Sequence, residues 1–203
     1  MTSLNHSEVK RWKNDNGDNT YNVNYELNSN SNIIDLGGFT GVWADQMINK
    51  YDSNLFILEP VPQFYDILVE KFKDNSKVNL LNVGVSTENE KGIIFLNNDA
   101  SSSNSTVGEP VDVEYLTMDS VLEKWNLYEV DLLQINIEGA EYNLLDYMIQ
   151  NNILKKFKNI QIQFHTVIEN YEERRNLIQQ GFIGNGFELT FNYPFVWEGW
   201  TRL

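Results

Sequence analysis

At 203 residues, 41% of them hydrophobic and 13% aromatic, the chain is long enough for one packed domain and too apolar to stay disordered. A net charge of −14 argues against a nucleic-acid surface, which needs clustered Lys and Arg, and against attachment to anionic membranes. With no cysteine there is no disulfide framework, thiolate metal site or Cys nucleophile, in keeping with the cytoplasmic location expected here.

Residues 1–30 are polar and lack the apolar run of a secretory leader. They read as an irregular lead-in, with one strand at 21–27, where Tyr21, Val23, Tyr25 and Leu27 alternate with polar residues. No stretch approaches the roughly 20 apolar residues of a membrane-spanning helix, so no membrane insertion is expected. No repeat or linker divides the chain, so residues 1–203 form a single domain with its core in 31–203.

From residue 32 the rhythm changes. Ile33-Ile34-Asp35-Leu36 is a short buried-type strand ending in glycines, followed by a helix over about 40–50. Residues 54–58 form a second strand, interrupted by Glu59, Pro60 and Pro62. A helix follows, with Phe64, Ile67, Leu68 and Phe72 on one face. Residues 78–85 read as a third strand. Residues 92–96 and 111–116 read as a small antiparallel elaboration around the polar loop 97–108. A helix near 118–125 leads to a strand at 130–136, then a helix at 139–150, a strand at 159–164 and a helix at 171–180 stopped by Gly181. Two aromatic-rich segments, 187–192 and 195–201, turn at Tyr193-Pro194 and close the chain as an antiparallel hairpin. The fold class is α/β, a doubly wound and mostly parallel sheet. The aromatic excess of the last segment is core, a homodimer contact or a platform for sugar C–H faces. Arg174 and Arg175 are expected on the exposed face of their helix.

In such sheets ligands sit beyond the carboxyl ends of the strands. Gly37, Gly38 and Gly41 open a helix after the first strand, but their G-G-x-x-G spacing is not the G-x-G-x-x-G of dinucleotide sites. Asp35 would repel a pyrophosphate and welcome a cationic amino-acid end. Glu59, where the second strand stops, can accept from both hydroxyls of a ribose. Together they suit a phosphate-free, positively charged nucleoside, a description that S-adenosylmethionine fits. Each feature also has a plain structural reading, since glycines serve tight strand–helix packing and acids after strands are commonly solvated.

Ile33-Ile34-Asp35-Leu36-Gly37-Gly38-Phe39-Thr40-Gly41 resembles the first motif of the FkbM-type methyltransferases. Leu58-Glu59-Pro60-Val61-Pro62-Gln63-Phe64 resembles their acidic second-strand motif. Asn82-Val83-Gly84-Val85-Ser86 sits where the family shows its third-strand motif, and Leu132-Leu133-Gln134-Ile135-Asn136-Ile137-Glu138-Gly139-Ala140-Glu141 resembles its most diagnostic stretch. The resemblance runs from about Asn32 to Phe164. It implies a Rossmann-like class I methyltransferase fold, S-adenosylmethionine as cofactor and a sugar or polyketide hydroxyl as acceptor. It also implies Asp35, Gly37 and Gly38 at the methionine end, Glu59 at the ribose, and Val83, Gly84 and their neighbours to Ser86 flanking the adenine. Gly41, Pro60 and Asn136 complete the implied cofactor set. The family normally reads Lys-Ile-Asp before its Glu-Gly, whereas Gln134 and Asn136 stand here, and an amide cannot take up a proton.

Methyl transfer from a sulfonium is an in-line displacement that depends on alignment, and an alcohol acceptor benefits from a base within hydrogen-bond reach. His165, at the end of its strand with an ordinary pKa, is one candidate; Glu138 is the other. His165 could equally cap the strand end, and Glu138 and Glu141 could simply favour the positive end of the following helix. No spacing supports a metal on Glu138, Asn136 and His165. The expected activity is O-methylation of a sugar or glycan hydroxyl. The alternatives are a degenerate S-adenosylmethionine-binding domain and, against the glycine spacing, a nicotinamide-dependent dehydrogenase.

Overall fold

The computed structural model describes residues 3–97, 100–102 and 108–203. Most of the predicted polar loop lies outside these residues. Seven strands form the main sheet, in the order β10-β11-β9-β8-β1-β2-β3. β1 (Asn32–Leu36), β2 (Asn54–Leu58), β3 (Val78–Leu81), β8 (Val130–Ile135) and β9 (Phe157–Ile162) run parallel. β11 (Trp197–Arg202) inserts antiparallel between β9 and β10 (Phe187–Tyr193), which makes the predicted hairpin the sheet's far edge.

Side chains alternate across the sheet, so each strand feeds two cores. Ile34, Leu36, Leu133, Ile135, Ile160 and Ile162 meet α4 (Met118–Lys124), α5 (Glu141–Gln150) and α6 (Tyr171–Gly184). Ile33, Leu55, Ile57 and Leu132 meet α2 (Val42–Tyr51) and α3 (Pro62–Phe72) on the other face. Pro62 begins α3, where its missing N–H costs nothing, and the Thr117 hydroxyl caps α4 by accepting from the Ser120 N–H. A second, four-stranded sheet, β4-β7-β5-β6, overhangs the carboxyl edge of the first. Its strands are β4 (Gly84–Val85), β5 (Glu90–Asn97), β6 (Ala100–Ser102) and β7 (Glu109–Leu116). No helix among the described residues is long and apolar enough to cross a membrane.

Five expectations need correction. The lead-in contains a helix, α1 (Ser3–Asn14), that its polar sequence hides. One large side chain anchors it, Trp12, buried against Tyr193, Val196 and Trp197. Residues 21–27 are not a strand, because their backbone bonds to side chains of α2 instead of to a neighbouring strand. Tyr51 Oη accepts from the Tyr25 N–H at 2.9 Å and donates to the Val23 carbonyl at 2.8 Å, and Trp43 Nε1 donates to Asn22. The third strand breaks at Asn82, whose amide donates to the Glu59 and Pro60 carbonyls, so β4 leaves for the overhanging sheet. Gly181 does not stop α6, which runs on to Gly184; a Cβ at Gly181 would lie 2.5 Å from Ile149, so the glycine lets α5 and α6 cross closely. Arg175 is buried, with Nη2 2.5 Å from Glu198 Oε2 and 2.8 Å from Asn192 Oδ1.

Candidate active site

A cavity of about 220 Å³ lies at the carboxyl edge of β1, β2 and β8, beneath Ile94 and Tyr115 of the overhanging sheet. A larger one, of about 520 Å³, opens between the lead-in and β9 to β11 and contains none of the predicted site residues. The first cavity gathers the strand ends, where irregular backbone exposes its polar groups.

Gly37 is on its wall with φ 86°, and a Cβ there would lie 2.2 Å from the Asn136 carbonyl oxygen. Only glycine lets the β1 and β8 ends approach so closely. Gly38 and Gly41 are not on the wall. A Cβ on either would strike the core beneath it, Ile57 and Leu68 at Gly38, and Leu68 and Phe72 at Gly41, so these two serve strand–helix packing.

Glu59 is on the wall and buried, with Pro60 beside it. Its Oε2 accepts from the Phe39 N–H at 2.8 Å and its Oε1 from the Val61 N–H at 2.9 Å. Burial pushes its pKa up and the two N–H groups pull it down. The carboxylate is thus clamped in one orientation, with lone pairs left on both oxygens. Val83 and Gly84 complete that side; the Tyr115 ring lies across Gly84, where a Cβ would come within 2.6 Å of it.

Asp35 does not reach the wall. It is buried on the opposite face of β1, where Gln134 Nε2 donates to its Oδ1 at 3.1 Å. Asp35, Gln134 and Gln161 occupy one row across β1, β8 and β9. Gln161 donates to Gln134, and Tyr25 Oη donates to Gln161 at 2.6 Å. Loss of water, with Glu59 adding like charge, raises the Asp35 pKa to about 7.

Asn136 is on the wall, and its N–H continues the β1 ladder by donating to the Leu36 carbonyl. Its Oδ1 is buried without a hydrogen-bond partner among the described residues. Glu138 follows, on the wall, in the left-handed conformation at φ 52°. Glu138 Oε1 lies 3.4 Å from His165 Nε2, so the two predicted catalytic residues meet, although His165 itself stands behind the wall. His165 Nδ1 lies 3.2 Å from Glu141 Oε1. Burial lowers the His165 pKa, but the two carboxylates outweigh it and raise it to about 9, while His165 lowers that of Glu138. The two carboxylates thus favour the imidazolium over the free base that an ordinary pKa would supply.

Sequence reasoning missed Phe39, Ile94, Tyr115 and Ala140 on the wall. Phe39 carries a faint signal, an aromatic following two glycines; Tyr115 and Ile94 carry none, since the overhanging sheet brings them in from elsewhere in the chain.

The family model of the methyltransferase FkbM domain matches residues 35–188, more than half of the chain. The chain belongs to the FkbM methyltransferase family. It is an S-adenosylmethionine-dependent methyltransferase, and the four motifs named above lie within or across the matched region. The fold matches solved structures at low identity. The fibrillarin pre-rRNA processing protein of Methanococcus jannaschii is 14% identical, with 88% of this chain and 69% of that one covered at a TM-score of 0.54. An rRNA methylase from Streptococcus thermophilus is 12% identical, with 87% and 89% covered at a TM-score of 0.52. No curated protein matches the sequence.

Proposed function

We propose that this FkbM-family methyltransferase O-methylates a sugar or glycan hydroxyl, with Glu138 as the group that meets the acceptor. The observation that carries this reading is the Glu138 carboxylate on the wall of the cavity, with its Oε1 3.4 Å from His165 Nε2.

The cavity suits the cofactor at four points. Glu59 is a clamped bidentate acceptor for a ribose diol. The buried Asn136 Oδ1 calls for a donor such as the methionine ammonium. Gly37 leaves its main chain open to close approach. Val83 and Tyr115 offer apolar surface for the adenine. When bound, S-adenosylmethionine supplies a methyl group activated by its sulfonium. Glu138 would accept the hydrogen of the acceptor hydroxyl, making that oxygen more nucleophilic, and would release the proton to solvent.

A neighbouring cavity of about 260 Å³ shares Val85, Tyr115 and Ala140 with the first and adds Ser86, Glu90, Asn143 and Arg174. Its balanced donors and acceptors over an apolar floor suit a hydroxylated ring, and the charge of −14 disfavours a polyanionic acceptor such as RNA. The test is calorimetric titration with S-adenosylhomocysteine, followed by a screen of saccharide acceptors for methyl transfer with Glu138→Gln as control. Micromolar binding and a transfer rate that collapses in Glu138→Gln support the reading. Binding without transfer to any acceptor would favour the degenerate domain that Asn136, unable to take up a proton, keeps in view.

A further inference from the structure

We infer that Glu141 is the positioning residue of this site, a buried carboxylate that ties the turn after β8 to the segment after β9 and, through His165, aims Glu138 at the cavity. The inference rests on the reading above that Glu138 meets the acceptor.

Glu141 opens α5, where an acid is ordinarily solvated and merely favours the helix's positive end. Here it is fully buried. Its Oε2 accepts from the Gly139 N–H at 2.7 Å, and its Oε1 accepts from the His165 N–H at 2.7 Å while facing His165 Nδ1 at 3.2 Å. Three donors replace the lost water, and they come from the loops that follow two adjacent parallel strands. The next residue completes the grip, since Tyr142 Oη donates to the His165 carbonyl at 2.8 Å. The first two residues of α5 thus hold both backbone polar groups of His165.

Two consequences reach Glu138. The Gly139 N–H is fixed immediately after it, which secures the left-handed backbone that a non-glycine residue adopts only when its surroundings enforce it. The imidazole is also fixed: with Nδ1–H on Glu141, Nε2–H is left for Glu138. The charged groups around the imidazole are Glu138 and Glu141 in contact with it. Arg174 sits over the Tyr142 ring, and Arg175 with Glu198 lies beyond. A plain helix-capping acid would make none of the contacts to the ring.

The chain has only two histidines, so His6 serves as an internal reference for ring signals in nitrogen-15 NMR of the S-adenosylhomocysteine-loaded protein. The expected result is a wild-type His165 that carries both ring protons through neutral pH. In Glu141→Gln its titration midpoint should fall by at least about one pH unit with His6 unchanged, and Glu138 should titrate higher. Glu141→Asp, which keeps the charge on a shorter arm, should restore part of the shift. Equal His165 midpoints in wild type and Glu141→Gln would overturn the inference. So would a wild-type His165 that loses a ring proton below about pH 7 or lacks the Nδ1 proton, and these two readings need no variant to fold. The ring signals are independent of turnover, so failure of this inference and failure to find methyl transfer are separate results.

Discussion

Two buried polar arrangements lie on the same sheet and are built on opposite terms. Across β1, β8 and β9, Asp35, Gln134, Gln161 and Tyr25 form a row of hydrogen bonds in which every donor points toward Asp35 and, among the described residues, no cation stands at the end. Beneath the hairpin, Arg175 and Glu198 form a buried ion pair supported by Gln179 and Asn192. The row accommodates a carboxyl group by favouring its neutral form, whereas the pair brings two opposite charges together. The Lys that the FkbM motif normally places at position 134 would have made the first arrangement resemble the second. Gln134 in its place leaves the strand end before the cofactor turn without a fixed charge.

The difference is most directly broken at Arg175. Arg175→Met leaves Glu198 buried without its cation and should cost about 3–5 kcal/mol, lowering the melting temperature by on the order of 10 °C. The double variant Arg175→Met/Glu198→Leu should recover most of that loss, and thermal melts that show no recovery would mean the pair is not the source of it. Next in size is Glu59→Ala, which removes the clamped acceptor from the cavity and should weaken S-adenosylhomocysteine binding by about 100-fold in calorimetry.

The row has a pH signature of opposite sense to that of an ordinary acid. The folded-state pKa of Asp35, about 7, lies above its unfolded value near 4, so the protein binds the proton more tightly when folded. The stabilisation from that proton is complete below the unfolded pKa and is lost as pH rises to about 7. Asp35→Asn should flatten this slope in urea melts between about pH 4 and 7 and raise stability at pH 8 by on the order of 1–3 kcal/mol. An unchanged slope would mean that Asp35 stays ionised. The same variant should move cofactor affinity least of all, by less than about threefold, because Asp35 is not on the cavity wall.

The motifs between Asn32 and Glu141 determined the alternating α/β order, the parallel sheet and the placing of Gly37, Glu59, Asn136 and Glu138 around one cavity. Those features are local: strand ends, glycine turns and acids are set by residues within a few positions of each other. Only tertiary structure decided that Asp35, Gly38 and Gly41 face away from the cavity, since a strand's register and the depth of a helix contact depend on neighbours distant in sequence. The polar α1 could not be read from periodicity, because a single Trp12 seated among residues 193–197 holds it. The raised pKa of His165 and the role of Glu141 were equally out of reach. Both arise where loops from adjacent strands converge in a dry interior, and there the pKa of a side chain belongs to its neighbours as much as to its own chemistry.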